Sequence, residues 1–348
     1  MPKSKQPATG KLVQVLEYMD GPQAVLLERS ADNKIIAVAI DKEGDQNPFF
    51  GAAISFDQWE RYRRGVLDLR FLFMFPRWKE WYLFDLKSGQ EESIELKRTP
   101  RDSLAEANYV PNAGFFSYDH SEPIKSTDTE GLAIQKYKTD GIWDLPDFTE
   151  FYHKLTDIYV FFLSLQKYTT STTPFEERRR IRESFVGHPL RGGSSYVNLY
   201  SDLMSAQGLS DRLSVGKLQY ASPGEVDVRG RLDIFSKMRG SLDKFENNYE
   251  SIRRDYNKIH GYLAKNKLLK ADSEKFDNDG SISQFLLKES YDFSGGLGID
   301  NAELIYELTG RNALKFSKIL LSHFRRLERY FMFFAEGRIR DTEIIAPN

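Results

Sequence analysis

The longest regular pattern of apolar positions in the chain runs from residue 232 to residue 263. Apolar side chains recur there at alternating intervals of three and four residues, with charged residues on the other face. This spacing predicts a helix with one apolar seam, as in a coiled coil or in one arm of a long helical hairpin. A stripe of the same spacing over 313–335 supplies an antiparallel partner helix. The seam residues are Phe235, Met238, Leu242, Phe245, Tyr249, Ile252, Tyr256, Ile259 and Leu263.

Shorter apolar runs fill the N-terminal third of the chain. Turn signals such as Asp20-Gly21-Pro22 separate them, so they predict a β-meander. Ser55-Phe56-Asp57-Gln58 has the capping-box pattern that starts a helix, predicted here over 58–64. Trp78–Leu86 and Ser93–Lys97 then predict a further hairpin. The strands of the meander are 12–18, 24–29, 35–40 and 49–54.

Together these patterns predict an α+β protein, in which a β-rich module precedes a mainly helical half with a long antiparallel helical hairpin. A loop-like stretch around Pro123 and Gly141 separates the two parts. Thr173-Pro174-Phe175-Glu176 predicts a second capping box, and 217–229 predicts a short β-hairpin. The resulting division is a disordered tail at 1–10, a β-rich module at 11–118, a hinge at 119–145 and a mainly helical domain at 146–340.

Composition narrows the class of protein. The chain has 348 residues, with 25 Phe, 18 Tyr and no Cys. Aromatic residues inside amphipathic patterns indicate a folded chain. The lack of cysteine excludes disulfides, thiolate metal sites and cysteine nucleophiles, and favours a reducing cytoplasm. No apolar run approaches the ~20 residues that cross a bilayer, and none follows the charged start, so neither a membrane partner nor a signal peptide is predicted.

Charge is divided unevenly along the chain. Residues 1–173 carry 21 basic and 26 acidic side chains, and residues 174–340 carry 28 and 23, which gives nets of −5 and +5. The basic half makes nucleic acid an alternative partner. A dedicated nucleic-acid domain is usually far more basic, so a solvated helix surface is the favoured interpretation. The candidate residues for an anion or nucleic-acid surface are Arg178, Arg179, Arg182, Arg253 and Arg254.

Asp85, Glu95 and Lys97 form a pattern that points to catalysis. An aspartate at the end of one strand, followed by Glu-x-Lys on the next, is the skeleton of a PD-(D/E)xK nuclease hairpin. There the carboxylates would hold Mg²⁺ and the lysine would orient the attacking water. The alternative is an amphipathic edge hairpin with Glu95 and Lys97 on its wet face. Since no third acid stands out, the edge hairpin is favoured, and no metal or cofactor is predicted.

The N-terminal strands also carry a resemblance. The segments 18–22, 32–34 and 64–70, followed by Pro111-Asn112-Ala113-Gly114-Phe115, resemble the N-terminal module of an uncharacterised bacterial family, which is catalogued only as a domain of unknown function. The resemblance covers about residues 12–118, a third of the chain. It implies a small β-rich module and a bacterial source, and it supplies no catalytic residue.

The favoured function is non-enzymatic. We expect a cytoplasmic bacterial interaction module or accessory subunit, for example of a phage-defence system, whose partner is another protein. The runner-up is a metal-dependent nuclease centred on Lys97, and the third alternative is nucleic-acid binding by the basic helical half. The seam at 232–263 is expected to be buried within one chain, and the oligomeric state is not predicted.

Overall fold

A computed structural model places most of the chain in two compact units, Met1–Thr127 and Asp128–Asn348. The division falls inside the stretch assigned to a hinge, of which residues 119–130 lie outside the described residues. The α+β class is confirmed, because a β-rich unit comes first and a mainly helical unit follows. The structure describes residues 8–18, 21–40, 48–86, 92–102, 109–117, 131–191, 193–208 and 211–345.

Six antiparallel strands of the first unit close into a barrel. Strands that are consecutive in sequence pair with each other, and Ala8–Gly10 pairs with Ile94–Leu96 to complete the ring. Residues 8–10 lie in the stretch assigned to a tail, of which residues 1–7 are outside the described residues. The strands are β1 (Ala8–Tyr18), β2 (Pro22–Glu28), β3 (Asn33–Ala39), β4 (Pro48–Ser55), β5 (Trp81–Asp85) and β6 (Ile94–Thr99).

Alternate residues of the barrel strands face two different apolar clusters. Val25 belongs to a cluster of strand residues in the barrel interior, whereas its neighbour Leu26 belongs to an outer cluster. Two short helices, α1 (Phe56–Arg63) and α2 (Leu69–Met74), cover the outer cluster. The capping box predicted at the start of α1 is confirmed, because the Ser55 hydroxyl accepts from the backbone N–H of the third helical residue and the reciprocal bond is also present.

The second unit contains a four-stranded antiparallel sheet in the order β10-β7-β9-β8. β8 and β9 form a hairpin, as the pattern at 217–229 predicts. β7 comes from residues that the sequence pattern assigned to the hinge, and it pairs with β9 on one side and with β10 on the other. The strands are β7 (Leu132–Thr139), β8 (Ser214–Gln219), β9 (Gly224–Arg231) and β10 (Ile339–Ile345).

Helices pack on one face of this sheet around a single large apolar core. Their seam helix is α6, and its expected antiparallel partner α9 is confirmed. Phe245 lies 5.5 Å from Phe331 and Tyr256 lies 4.4 Å from Phe324, measured between ring centroids, so the two helices run in opposite directions. The helices are α3 (Leu145–Thr169), α4 (Phe175–Val186), α5 (Gly193–Ala206), α6 (Leu232–Lys265), α7 (Ser281–Gly296), α8 (Ala302–Leu308) and α9 (Ala313–Ala335).

Three features differ from the sequence-based prediction. α6 is bent at Asn248, whose φ of −127° and ψ of 18° are not helical. α5 and β10 were not predicted, although Tyr196, Leu199, Tyr200 and Leu203 have helical spacing. The capping box predicted at Thr173 is wrong: α4 starts at Phe175 with Pro174 at its N-cap, and no side chain caps it. Thr173 lies one residue too early, because the chain enters the helix through proline.

Candidate functional site

Asp85, Glu95 and Lys97 lie on the outside of the barrel. Glu95 and Lys97 are exposed and alternate along β6 with the buried Ile94 and Leu96, and Asp85 is exposed at the end of β5. β6 pairs with β1 as well as with β5, so it is an inner strand of the ring and not the sheet edge that the sequence pattern favoured. The edge-hairpin interpretation is wrong because β1 pairs with β6 and closes the barrel.

The described part of the barrel offers this trio no metal donor set. Mg²⁺ and Ca²⁺ sites in proteins are built from several convergent oxygen ligands. Within the residues that the structure describes, no group of three or more His, Cys, Asp or Glu side chains could hold a metal ion. The nuclease alternative therefore receives no support from these residues.

Three of the five candidate arginines meet at one groove. Arg178, Arg179 and Arg182 of α4 line a cavity of about 380 Å³ together with Phe175 of α4 and Tyr168 of α3. Phe175 is 70% exposed and Tyr168 is half-buried. Neither ring was predicted as part of a site, although Phe175 lies three residues before Arg178 and seven before Arg182, on the same helix face. We call these five residues the α4 groove.

The other two candidate arginines belong to α6. The Arg253 guanidinium donates to the Tyr249 hydroxyl at 2.6 Å, and that hydroxyl donates to the Glu328 carboxylate of α9 at 3.0 Å. Arg253 therefore braces the contact between α6 and α9. Arg254 is exposed on the same helix. Neither of these two arginines lines the α4 groove.

A larger cavity of about 570 Å³ lies between α3, α6 and the connection from α7 to α8. Its polar groups already satisfy one another. The Lys237 amine donates to the Gln166 side-chain oxygen at 2.8 Å, and the Gln166 amide donates to Asp233. Burial raises the pKa of Asp233, but hydrogen bonds from Arg231 and Gln166 outweigh it and hold that pKa below its ordinary value. The lysine at this end of the cavity therefore already has a hydrogen-bond acceptor within the protein.

Buried basic groups follow one side of α9. The Lys315 amine donates to the carbonyl of Val186 at 2.6 Å, at the C-terminal end of α4, and the Lys318 amine donates to the carbonyl of Ala271 at 3.2 Å. Burial lowers the pKa of both amines, that of Lys318 to about 8. Lys318 is only 1% exposed. Both lysines therefore tie neighbouring segments to α9, and Lys315 in addition satisfies a backbone carbonyl at the C-terminal end of α4.

Further along α9, His323 and Arg326 are buried beside each other. The Arg326 guanidinium contacts the Asp157 carboxylate at 2.6 Å and lies 3.6 Å from the centre of the Tyr200 ring. His323 stacks on Phe161 at 4.2 Å, and neither of its ring nitrogens has a hydrogen-bond partner among the described residues. Burial, and to a smaller extent Arg326, lowers the pKa of His323 to about 3. The imidazole is therefore neutral in the folded protein at ordinary pH.

The outer edge of the open sheet is its least covered part. All six residues of β8 are exposed, among them Val215 and Leu218, each 54% exposed. They lie opposite Val228 and Val226, two buried residues of β9, and directly opposed residues share one face of a sheet. Among the described residues, the helical layer thus stops before β8, which leaves an apolar strip on a strand that pairs only with β9. The sequence pattern predicts this hairpin but does not identify its outer strand as an edge.

Comparisons with known proteins add no assignment, because no protein-family model, no curated protein and no solved structure matches the chain. None of the helices in the described residues has the length and apolarity that spanning a bilayer requires.

Proposed function

We propose that this chain is a protein-interaction subunit that binds an extended segment of another protein at the edge strand β8. The observation that carries the proposal is the full exposure of β8, including the apolar side chains Val215 and Leu218. An exposed edge offers unpaired N–H and C=O groups, which an incoming strand can satisfy by extending the sheet. The proposed setting is a bacterial cytoplasm, for which the support is the resemblance of residues 12–118 for the source and the lack of cysteine for the compartment. A multi-protein assembly such as a phage-defence system is an example of such a setting, and no residue of the chain supports it.

The two faces of the edge define the chemistry of the partner strand. Val215 and Leu218 present apolar surface on the face that continues the core. On the other face, Arg229 is exposed opposite Ser214, and no acidic side chain of the described residues forms an ion pair with it. A strand that alternates apolar and acidic residues would place its apolar side chains beside Val215 and Leu218 and an acid near Arg229.

The test is binding of labelled synthetic peptides of alternating valine and glutamate, measured by fluorescence anisotropy. We expect binding that protects the amides of 214–219 from hydrogen exchange. Val215→Lys with Leu218→Lys should weaken it by up to about 30-fold, because each apolar cross-strand pair contributes up to about 1 kcal/mol. Leu145→Lys is the matched control, since Leu145 is exposed but lies on α3.

Three outcomes would contradict the proposal. The first is peptide binding that the β8 substitutions leave unchanged, and the second is no binding of any alternating peptide. The third is a dimer in light scattering that Leu218→Lys dissociates, which would make a second copy of the chain the occupant of the edge.

A further inference from the structure

We infer that the α4 groove binds a phosphate ester that carries a flat ring, the chemistry of a nucleotide, free or within a single-stranded nucleic acid. The juxtaposition that carries the inference is that of three arginines with two aromatic rings around one cavity of about 380 Å³. This volume lies in the range of small-molecule sites, roughly 300–1,000 Å³. The site is separate from the β8 edge and does not depend on strand addition.

Two of the three guanidinium groups are available to an anion. Arg179 is engaged by Glu176 of the same helix at 2.6 Å. For Arg178 and Arg182, the described residues provide no ion pair and no side-chain hydrogen bond. They are four residues apart and therefore lie on one face of α4. A guanidinium binds phosphate through two parallel N–H groups, so this pair can hold one or two phosphate groups.

The rings supply the second half of the recognition. Phe175 is a large apolar side chain left 70% exposed at the first turn of α4, beside Arg178. Tyr168 approaches the same cavity from α3. Aromatic side chains next to basic groups are the surface on which bases stack, and stacking tolerates any base because every base has a π-face. A simple inorganic anion would make no use of these rings.

The test uses the full chain and three probes: ATP, a short oligothymidylate and inorganic pyrophosphate. We expect ATP or the oligonucleotide to bind more tightly than pyrophosphate. Phe175→Ala should weaken that binding by roughly 5- to 150-fold, the range found for removal of a stacking ring. Arg178→Gln with Arg182→Gln should lower the slope of log K against log salt for the oligonucleotide, by roughly 0.7 for each phosphate that the variant no longer neutralises. Tighter binding of ATP would identify a free nucleotide as the source, and affinity that rises with oligonucleotide length would identify nucleic acid.

Arg180→Gln is the matched control, because Arg180 is exposed on α4 but does not line the groove. It should leave the affinity and the salt slope near their wild-type values. Circular dichroism should report folded protein for all variants, since the altered side chains are at the surface; if the double variant fails to fold, Arg182→Gln alone carries the same expectation. The inference is overturned if no probe binds, if Arg180→Gln weakens binding as much as the groove variants, or if pyrophosphate binds as tightly as ATP and Phe175→Ala has no effect.

Discussion

The two units finish their sheets in opposite ways. The barrel joins its first strand to its last, Ala8–Gly10 to Ile94–Leu96, whereas the four-stranded sheet of the second unit stays open and ends at the fully exposed β8. Closing a sheet removes unpaired backbone groups, and an open edge retains them. The barrel therefore joins its first and last strands, whereas the sheet of the second unit ends at an exposed strand, and this edge is where we propose that a partner strand binds.

One ion pair from each unit differs from the other in burial. In the barrel, Lys34 contacts Glu28 at 2.9 Å, with side-chain exposures of 11% for the lysine and 40% for the glutamate. In the helical unit, Arg326 and Asp157 meet with side-chain exposures of only 11% and 14%. A buried pair is costly to break, because the remaining charge has lost its water and its partner. Removing Asp157 from the Arg326–Asp157 pair should therefore cost more stability than removing Glu28 from the Lys34–Glu28 pair.

The largest expected effect comes from breaking the buried ion pair of the helical unit. Asp157→Leu should lower the free energy of unfolding of the helical unit by about 3–5 kcal/mol, because it leaves the Arg326 charge buried. Glu28→Leu in the barrel should cost less, because the glutamate of that pair is 40% exposed whereas Asp157 is 14% exposed. Chemical denaturation, followed by hydrogen exchange in each unit, measures both. Asp157→Leu combined with Arg326→Met should restore most of the loss, and similar losses for the two single variants would contradict the comparison.

The space around one glycine in each sheet differs between the closed barrel and the open edge. A Cβ on Gly51 in β4 would lie 2.6 Å from the Ile35 side chain, whereas a Cβ on Gly216 in β8 meets nothing closer than 3.7 Å among the described residues. Gly51→Val should therefore destabilise the barrel by about 3 kcal/mol through overpacking. Gly216→Val should be neutral or stabilise by up to about 1 kcal/mol. The thermal unfolding midpoints of the two variants measure these changes. A greater loss of stability for Gly216→Val than for Gly51→Val would indicate that β8 is covered.

His323 gives the helical core a pH dependence. Its pKa in the folded protein is about 3, below the ordinary value of 6.5, so between these values the unfolded chain binds a proton that the folded chain does not. Stability conferred by the neutral imidazole is complete above 6.5 and falls as pH drops towards 3, by up to about 1.4 kcal/mol per pH unit. His323→Leu should remove this component, so between pH 7 and pH 5 the denaturation midpoint of the variant should fall less than that of wild type. Parallel pH profiles for the two proteins would contradict the prediction.

The sequence predicted the elements that depend on residues close together in the chain, and missed features that depend on residues far apart in it. The seam of α6, its partner α9 and the strands of the meander follow from local periodicity, and all were found. Barrel closure joins residues more than 80 positions apart, at Ala8 and Leu96, and no local pattern encodes it. For the same reason the interpretation of Glu95 and Lys97 as part of an edge was wrong.

The candidate sites show the same limit. The arginines of α4 were visible as a run, but the run alone is typical of a solvated helix. The groove depends on Tyr168, which approaches from the end of α3, and on a ring of α4 that stays uncovered. Likewise, the exposure of β8 depends on where the helical layer stops. The α4 groove and the exposure of β8 both result from packing between distant segments, so the spacing of residues along the chain does not predict them.

The smallest expected effect is the loss of a helix cap, which can be compared at the two helices for which the sequence predicted a capping box. At α1, the Ser55 hydroxyl accepts from the Gln58 N–H at 3.2 Å, and the Gln58 side-chain oxygen accepts from the Ser55 N–H at 3.3 Å. α4 has no side-chain cap, because Pro174 occupies its N-cap. Ser55→Ala should therefore cost about 1 kcal/mol, whereas Thr173→Ala should cost only the small burial of its methyl group.

Gln58 sharpens this last comparison. Its side-chain oxygen also accepts from the Arg77 N–H at 2.8 Å, and its amide donates to the Phe75 carbonyl at 2.8 Å, so it links the start of α1 to the end of α2. Gln58→Ala should cost more than Ser55→Ala for that reason, as measured by the midpoint of thermal unfolding of the barrel. Equal losses of stability for Ser55→Ala in the barrel and Thr173→Ala in the helical unit, each measured in its own unit, would mean that the bond to Ser55 adds nothing. A loss at Gln58 alone would mean that the link to α2, and not the cap, stabilises this corner of the barrel.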